Sequence, residues 1–292
     1  MIDKTAYFFW QGGQMSWLRY MTLRSFVHHN PDWRTVLYLA ADPNYTKTWD
    51  TLERQENYHE EEYENYLPRV FDLDVEVVIR ASTSYHPAQN SDIACWEILS
   101  NNSGVFFDMD IVFSKSINDF WGDIKTYDIQ LDIYPAFHPK RPHETHLIAR
   151  IGCLASGGNN SIFKELLDIA SGGTANRQYQ SFGRDTFEGL LNRYGGVTSA
   201  NHGEKLDLVL ENLSVAHYQK IFNSYQCDTI YPWDWNVDNP RFYDLHNTIH
   251  HTHFGIHWYG GRPMSQKFNL LLTEDNFRDH KNTICHYAGL TY

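Results

Sequence analysis

Positive charge is scarce in this chain. It has 24 Lys and Arg against 36 Asp and Glu, a net charge of −12, and no Lys/Arg-rich run, so it offers no electrostatic footprint for a nucleic-acid backbone or an anionic membrane surface. Long apolar runs are also missing, since no stretch approaches the roughly 18 residues that a membrane span requires. Its four cysteines, Cys95, Cys153, Cys227 and Cys285, lie far apart and form no C-x-x-C pair, which argues against a disulfide framework or a thiolate zinc site and predicts reduced thiols. The apolar patch Ala6–Trp10 is short and runs into Gln11-Gly12-Gly13; it predicts a first strand, not a signal peptide, and a cytoplasmic protein. No internal repeat, low-complexity stretch or linker interrupts the chain, so a single domain over residues 1–292 is expected.

Aromatic residues, by contrast, make up 15% of the chain, which suits a globule that stacks on planar or sugar-like ligands. Strand and helix patterns alternate. Ala6–Trp10 is continuous and apolar, Trp17, Tyr20, Met21, Leu23 and Val27 recur at helical spacing, Asn30-Pro31 stops that helix, and Thr35–Leu39 resumes as a strand. A second unit runs from the strand Val75–Ile79 through a helix over Ser91–Asn101 to the strand Val105–Phe107. Further strands are expected at Asp128–Ile133 and Ile148–Ala155, with helices at Ser161–Ala170 and Asp185–Tyr194. This alternation predicts an α/β nucleotide-binding architecture around a central, mostly parallel sheet. The charged, tyrosine-rich stretch 47–67 reads as an exposed helical excursion, and the segment 246–292 is expected to return to the active site.

The most informative segment is SDIACWEILSNNSGVFFDMDIVF, Ser91–Phe113, in which an apolar strand delivers Asp108 and Asp110 at its C-terminal end. The two carboxylates point the same way if the strand continues and flank a turn if it bends. Either arrangement suits Mn²⁺ or Mg²⁺, which take oxygen ligands and are held by one or two carboxylates together with substrate phosphates. Open α/β sheets bind ligands at this end of their strands. Asp72-Leu73-Asp74 carries the same spacing but precedes its strand, so it is read as a pair of solvated loop carboxylates. Five histidines, His246, His250, His251, His253 and His257, fall within one short C-terminal span, and a neutral imidazole is a good ligand for Mn²⁺.

The order Ser91-Asp92, Leu99, Gly104, Phe106-Phe107 and Asp108-Met109-Asp110 resembles glycosyltransferase family 32, a group of DXD-motif sugar transferases that is distantly similar to the large clostridial glucosylating toxins. The resemblance extends upstream to FFWQGG and Asn30-Pro31-Asp32-Trp33, and downstream to CLASGGNNSIFKELLDIA. It implies a GT-A fold, a nucleotide-sugar donor such as a UDP- or GDP-sugar, a divalent metal, and a retaining transfer to a glycan or other acceptor. On this resemblance Asp110 is the direct metal ligand, and Asp108 contacts the ribose or donor sugar together with the metal. His257, in His257-Trp258, is the third protein ligand. Asp92 accepts hydrogen bonds from sugar hydroxyls, or else is an ordinary helix-start carboxylate. Trp10 stacks on the nucleotide base beside Gly12 and Gly13, or else belongs to the core. Gly260-Gly261 and Arg262 resemble a phosphate-touching lid. Asp185 is an acceptor-side residue or the N-cap of its helix, and Tyr231-Pro232-Trp233 is either near the acceptor cleft or aromatic core. The chain departs from the family pattern at Cys95, where the family carries an Arg, and at Ser103-Gly104, where it carries Gly-Gly. Two alternatives follow: a non-catalytic sugar- or nucleotide-binding relative, to which Cys95 points, and a metal-dependent hydrolase, for which no H-E-x-x-H motif is present.

Overall fold

A computed structural model describes residues 1–40, 64–81, 87–138, 141–172, 181–195, 202–223, 229–233, 240–243, 249 and 251–292. Its strands are β1 (Thr5–Gln11), β2 (Arg34–Ala40), β3 (Glu76–Arg80), β4 (Ser103–Phe107), β5 (Ile111–Phe113), β6 (Ile129–His138), β7 (Arg141–Gly157), β8 (Ile221–Asn223) and β9 (Gly255–His257). The helices are α1 (Trp17–His29), α2 (Pro87–Asn101), α3 (Asn118–Ile124), α4 (Ser161–Ser171), α5 (Ser181–Arg193), α6 (His202–His217), α7 (Pro263–Leu271) and α8 (Thr283–Gly289). The fold is mixed α/β with a seven-stranded, mostly parallel sheet, as the alternating pattern predicts. Among the described residues no helix is long and apolar enough to cross a membrane.

Two compact units make up the chain. One comprises Met1–Lys4, Ala88–Phe106 and Trp121–Cys227; the other comprises Thr5–Pro87, Phe107–Phe120 and Asp228–Tyr292. In the second unit the strand order is β3-β2-β1, every pair parallel, with Phe8 beside Leu37 and Trp10 beside Leu39. All seven positions of β1 are buried, the signature of a strand covered on both faces. Helix α1 is buried nearly all round, from Trp17 to Phe26. It ends at Asn30, whose backbone N–H and side-chain amide both donate to the Phe26 carbonyl, and the Asn30 Oδ1 in turn accepts the Ile117 N–H at 2.8 Å. Phe8, Phe26, Phe107, Phe113 and Phe254 form one aromatic cluster, with Phe26 edge-on to both Phe8 and Phe113 and Phe113 stacked on Phe254.

In the first unit the order is β4-β7-β6-β8, with β6 antiparallel to β7 and parallel to β8. Asn160 caps α4 by accepting the N–H groups of Ile162 and Phe163. His217, at the end of α6, joins α4 to the residue that follows α5. Its Nδ1 lies 3.0 Å from the Ser161 hydroxyl, and its Nε2 lies 2.9 Å from the Tyr194 hydroxyl and 3.1 Å from Glu165.

Several element bounds differ from the sequence expectation. Helix α2 starts at Pro87, four residues before Ser91, so Asp92 is its sixth residue and is not a helix-start carboxylate. Helix α5 starts at Ser181, which places Asp185 inside the helix and removes its N-cap role. The strands expected at Asp128–Ile133 and Ile148–Ala155 are parts of the longer antiparallel pair β6 and β7. The excursion expected at 47–67 lies outside the described residues as far as residue 63; Leu67–Asp72 forms a 3₁₀ turn, after which Asp72 and Asp74 are exposed.

Candidate metal centre

The second unit holds the two strand-end aspartates. Val105, Phe106 and Phe107 are buried, but β4 stops at Phe107, and the chain bends through Asp108-Met109-Asp110 before entering β5. Met109 is buried, and its carbonyl accepts the Thr22 hydroxyl at 2.9 Å. With the middle residue anchored on α1, the two flanking carboxylates share one site.

Strand β5 pairs antiparallel with β9, and the register sets Ile111 opposite His257. This pairing delivers the imidazole. His257 Nε2 lies 3.2 Å from Asp110 Oδ1 and 3.6 Å from Asp108 Oδ2, and one ligand atom from each of the three residues falls within 4.8 Å of the others. The Tyr259 N–H donates to His257 Nδ1 at 3.3 Å, which leaves the ring proton on Nε2, facing the two carboxylates; a metal held through Nε2 would have to displace it. Backbone bonds fix the rest: the His257 N–H donates to the Ile230 carbonyl and the Trp258 N–H to the Asp110 carbonyl. The other Asp110 oxygen, Oδ2, accepts the Gly260 N–H at 2.8 Å. Asp108 is the open member of the group, with 30% of its side chain exposed against 8% for Asp110 and 9% for His257.

Electrostatics follow from this crowding. Burial works against a charged imidazole, but the Asp110 and Asp108 carboxylates outweigh it and hold the His257 pKa above the ordinary imidazole value. Desolvation holds the Asp108 carboxyl above the usual carboxylate range, opposed by the nearby His257 imidazole and reinforced by the neighbouring Asp110. Two carboxylates and an imidazole converging on one point make a donor set that fits a hard or borderline divalent cation such as Mg²⁺ or Mn²⁺. Among the described residues this is the one group of three or more potential ligands that could hold a metal ion.

Aromatic rings surround His257. The Tyr231 ring lies 5.1 Å from the imidazole and the Tyr259 ring 4.6 Å from it, and the Tyr259 hydroxyl donates to the Trp233 carbonyl. Tyr259 has φ of +52°, a left-handed conformation that a bulky side chain adopts only when its surroundings impose it.

The other expected site residues are placed as follows. Trp10 is fully buried, and its indole N–H donates to the Gln14 carbonyl at 3.0 Å. Gly12 has φ of +134°, which favours glycine, whereas Gly13 is exposed with open space where a β-carbon would stand. Asp92 belongs to the other unit, where its carboxylate packs on α5: a β-carbon at Gly183 would come within 2.5 Å of it. Cys95 is buried in α2. Tyr231 is buried in the aromatic group beside His257, and Trp233 packs on Phe242. His251 is exposed and His253 buried, while His246 and His250 lie outside the described residues.

Two participants are not legible in the sequence pattern. Arg19 is completely buried in α1, with its guanidinium 4.7 Å from the centre of the Trp258 ring and Nη1 3.8 Å from Asp110 Oδ2. Gly260 is the donor to that same oxygen. Nothing in the sequence separates Arg19 from Arg24, the other arginine of the same helix.

No protein-family model matches the chain, and a search of curated proteins finds no match. Among solved structures, the chain is similar to the glycosyltransferase PaToxG, at 17% identity over 77% of this chain and 83% of that one, with a TM-score of 0.46. It is also similar to the apo form of the glycosyltransferase GlyE of Streptococcus pneumoniae TIGR4, at 10% identity over 97% of this chain and 65% of that one, with a TM-score of 0.41. A UDP-glucose pyrophosphorylase complexed with UDP-glucose matches at 8% identity over 75% of this chain and 99% of its own, with a TM-score of 0.35. These likenesses are remote, and the chemistry of the site rests on its own residues.

Proposed function

We propose that the chain is a metal-dependent, retaining glycosyltransferase of GT-A architecture, similar to family 32, that moves a sugar from a UDP- or GDP-sugar to a glycan-type acceptor in the cytoplasm. The convergence of Asp108, Asp110 and His257 on one point is the observation that carries this proposal. A DXD spacing alone is common; a buried imidazole brought to it from about 150 residues away by strand pairing is not what a solvated turn needs.

In such a transfer the leaving nucleoside diphosphate gains negative charge as the sugar carbon becomes oxocarbenium-like. A divalent cation, when bound, supplies Lewis-acid stabilisation of that leaving group. Asp110 and His257 would hold it from the buried side and Asp108 from the exposed side, where Asp108 also reaches the ribose or donor sugar. The Gly260 N–H keeps the Asp110 carboxylate in a fixed orientation. Asp92 would accept hydrogen bonds from sugar hydroxyls. Trp10 would need to uncover a ring face to stack on the base, with Gly12 and Gly13 as the neighbours able to yield.

A non-catalytic sugar- or nucleotide-binding relative is favoured by one observation: Cys95 is buried where the resemblance calls for an Arg. One experiment separates the two. Thermal shift and hydrolysis are measured for UDP-, GDP-, CMP- and dTDP-sugars with and without Mn²⁺, on wild type and Asp110→Asn. The transferase requires a Mn²⁺-dependent shift with one donor, lost in the variant and accompanied by slow donor hydrolysis. A shift without hydrolysis or transfer identifies the binder, and no shift with any donor refutes the nucleotide-sugar proposal.

A further inference from the structure

Arg19 gives the metal centre a property that its three potential ligands do not have by themselves. The side chain is fully buried, with the guanidinium 5.8 Å from the centre of the Trp10 ring and 4.7 Å from that of Trp258. A guanidinium keeps its proton in any protein environment, so this is a permanent positive charge. Its Nη1 stands 3.8 Å from Oδ2 of Asp110, beyond hydrogen-bond reach but close for two charges in a dry setting. Gly260 closes the gap from the other side. Its N–H donates to the same oxygen at 2.8 Å, and a β-carbon there would collide with the Arg19 guanidinium.

The two oxygens of Asp110 are thereby divided. Oδ2 faces Gly260 and Arg19, while Oδ1 faces His257 Nε2 at 3.2 Å. Asp108 and Asp110 bring two negative charges, and Arg19 sets one positive charge beside Asp110. A divalent cation in that setting leaves the site with a net positive charge, which favours an anionic co-ligand. Without Arg19 the cation and the two carboxylates would neutralise one another.

Resting on the metal-centre proposal above, we propose that Arg19 is a positioning residue that holds Asp110 to one metal-facing oxygen and lowers the negative charge of the site, so that a divalent cation binds weakly alone and tightly together with a diphosphate.

The test compares wild type, Arg19→Met and Arg19→Lys. Binding of bare Mn²⁺ is read by electron paramagnetic resonance, and binding of preformed Mn²⁺–pyrophosphate by calorimetry, with thermal unfolding recorded for each protein. Arg19→Met should bind bare Mn²⁺ about tenfold more tightly and Mn²⁺–pyrophosphate about tenfold more weakly, the scale on which one neighbouring charge shifts an ionic equilibrium. Arg19→Lys, which keeps the charge, should stay near wild type in both. A purely structural role would move both affinities in the same direction or neither, and that result overturns the proposal. Should Arg19→Met fail to fold, wild type alone decides: the Mn²⁺–pyrophosphate pair must bind about tenfold more tightly than bare Mn²⁺, and equal affinity overturns the role of Arg19. Wild type that binds neither probe refutes the metal centre itself, a failure distinct from that of Arg19.

Discussion

Gly260 and Asp110 lie 150 positions apart in the chain, yet the backbone N–H of the first donates to the carboxylate of the second at 2.8 Å in a buried setting. A β-carbon at 260 would meet the Arg19 guanidinium, so any larger residue there requires that side chain or the backbone to shift. Gly260→Ala should therefore push Arg19 or the Tyr259–Gly260 backbone out of place, at a cost of about 1–3 kcal/mol, the usual scale of overpacking. Chemical denaturation reads the stability loss, and a Mn²⁺ titration should show weakened binding, since Asp110 loses its fixed orientation. Unchanged stability and metal binding would mean that the Arg19 side chain moves aside freely.

His257→Ala removes an imidazole from the proposed ligand set and should weaken Mn²⁺ binding at least about tenfold, the lower range for disturbing a metal shell. The comparison is His253→Ala, which should leave the titration unaltered. A titration that changes with His253 and not with His257 would reassign the ligand.

Gly183→Ala tests the packing of Asp92 against α5. An alanine inside a helix is ordinarily stabilising by about 1 kcal/mol relative to glycine, but here its β-carbon would come within 2.5 Å of the Asp92 carboxylate. The Asp92 side chain should be displaced, and the KM for the donor should rise in the same direction as for Asp92→Ala. If the donor KM changes in Asp92→Ala but not in Gly183→Ala, Asp92 acts without its contact on α5.

The fold carries its own acid sensitivity at His29, near the end of α1. Burial, aided by the neighbouring His28, lowers its pKa from the ordinary 6.5 to about 4. The folded state keeps this ring neutral while the unfolded chain protonates it, so stability is full above about 6.5 and is lost as pH falls toward 4. His29→Gln should reduce the loss of stability between neutral pH and pH 5 by about 1–2 kcal/mol, after discounting for partial exposure. Urea melts at both pH values read it, and parallel pH dependence in variant and wild type would contradict it.

His217 should prove structural. His217→Leu strips the Ser161 hydroxyl of its imidazole partner, while the Tyr194 hydroxyl still donates to Glu165, a loss of about 1–3 kcal/mol by the usual penalty for a stranded polar group. Calorimetry should show a lower melting temperature and an unaltered Mn²⁺ titration. An unshifted melting temperature would deny the network any part in stability.

Much of this organisation is visible in the sequence because it depends on local chemistry. Continuous apolar runs mark β1, β2 and β4, and Asn30-Pro31 marks the end of α1. Other features escape because tertiary contacts decide them. Strands β5 and β9 have three residues each, too few to leave a periodic trace, yet their register is what sets His257 beside the aspartates. Gly183 makes the start of α5 look non-helical, and its reason is the Asp92 carboxylate packed against it. Pro87 begins α2 as proline often begins helices, although the apolar pattern becomes clear only later. Arg19 is hidden because α1 is buried on almost every side, so a charged residue breaks no apolar stripe there.

The most direct test of the central claim is a Mn²⁺ titration of wild type and Asp110→Asn in the presence of a UDP-sugar, followed by electron paramagnetic resonance, with thermal melts to confirm that both proteins are folded. The proposed centre predicts one bound Mn²⁺ in wild type and its loss in the folded variant. Equal Mn²⁺ binding by the two proteins would contradict it.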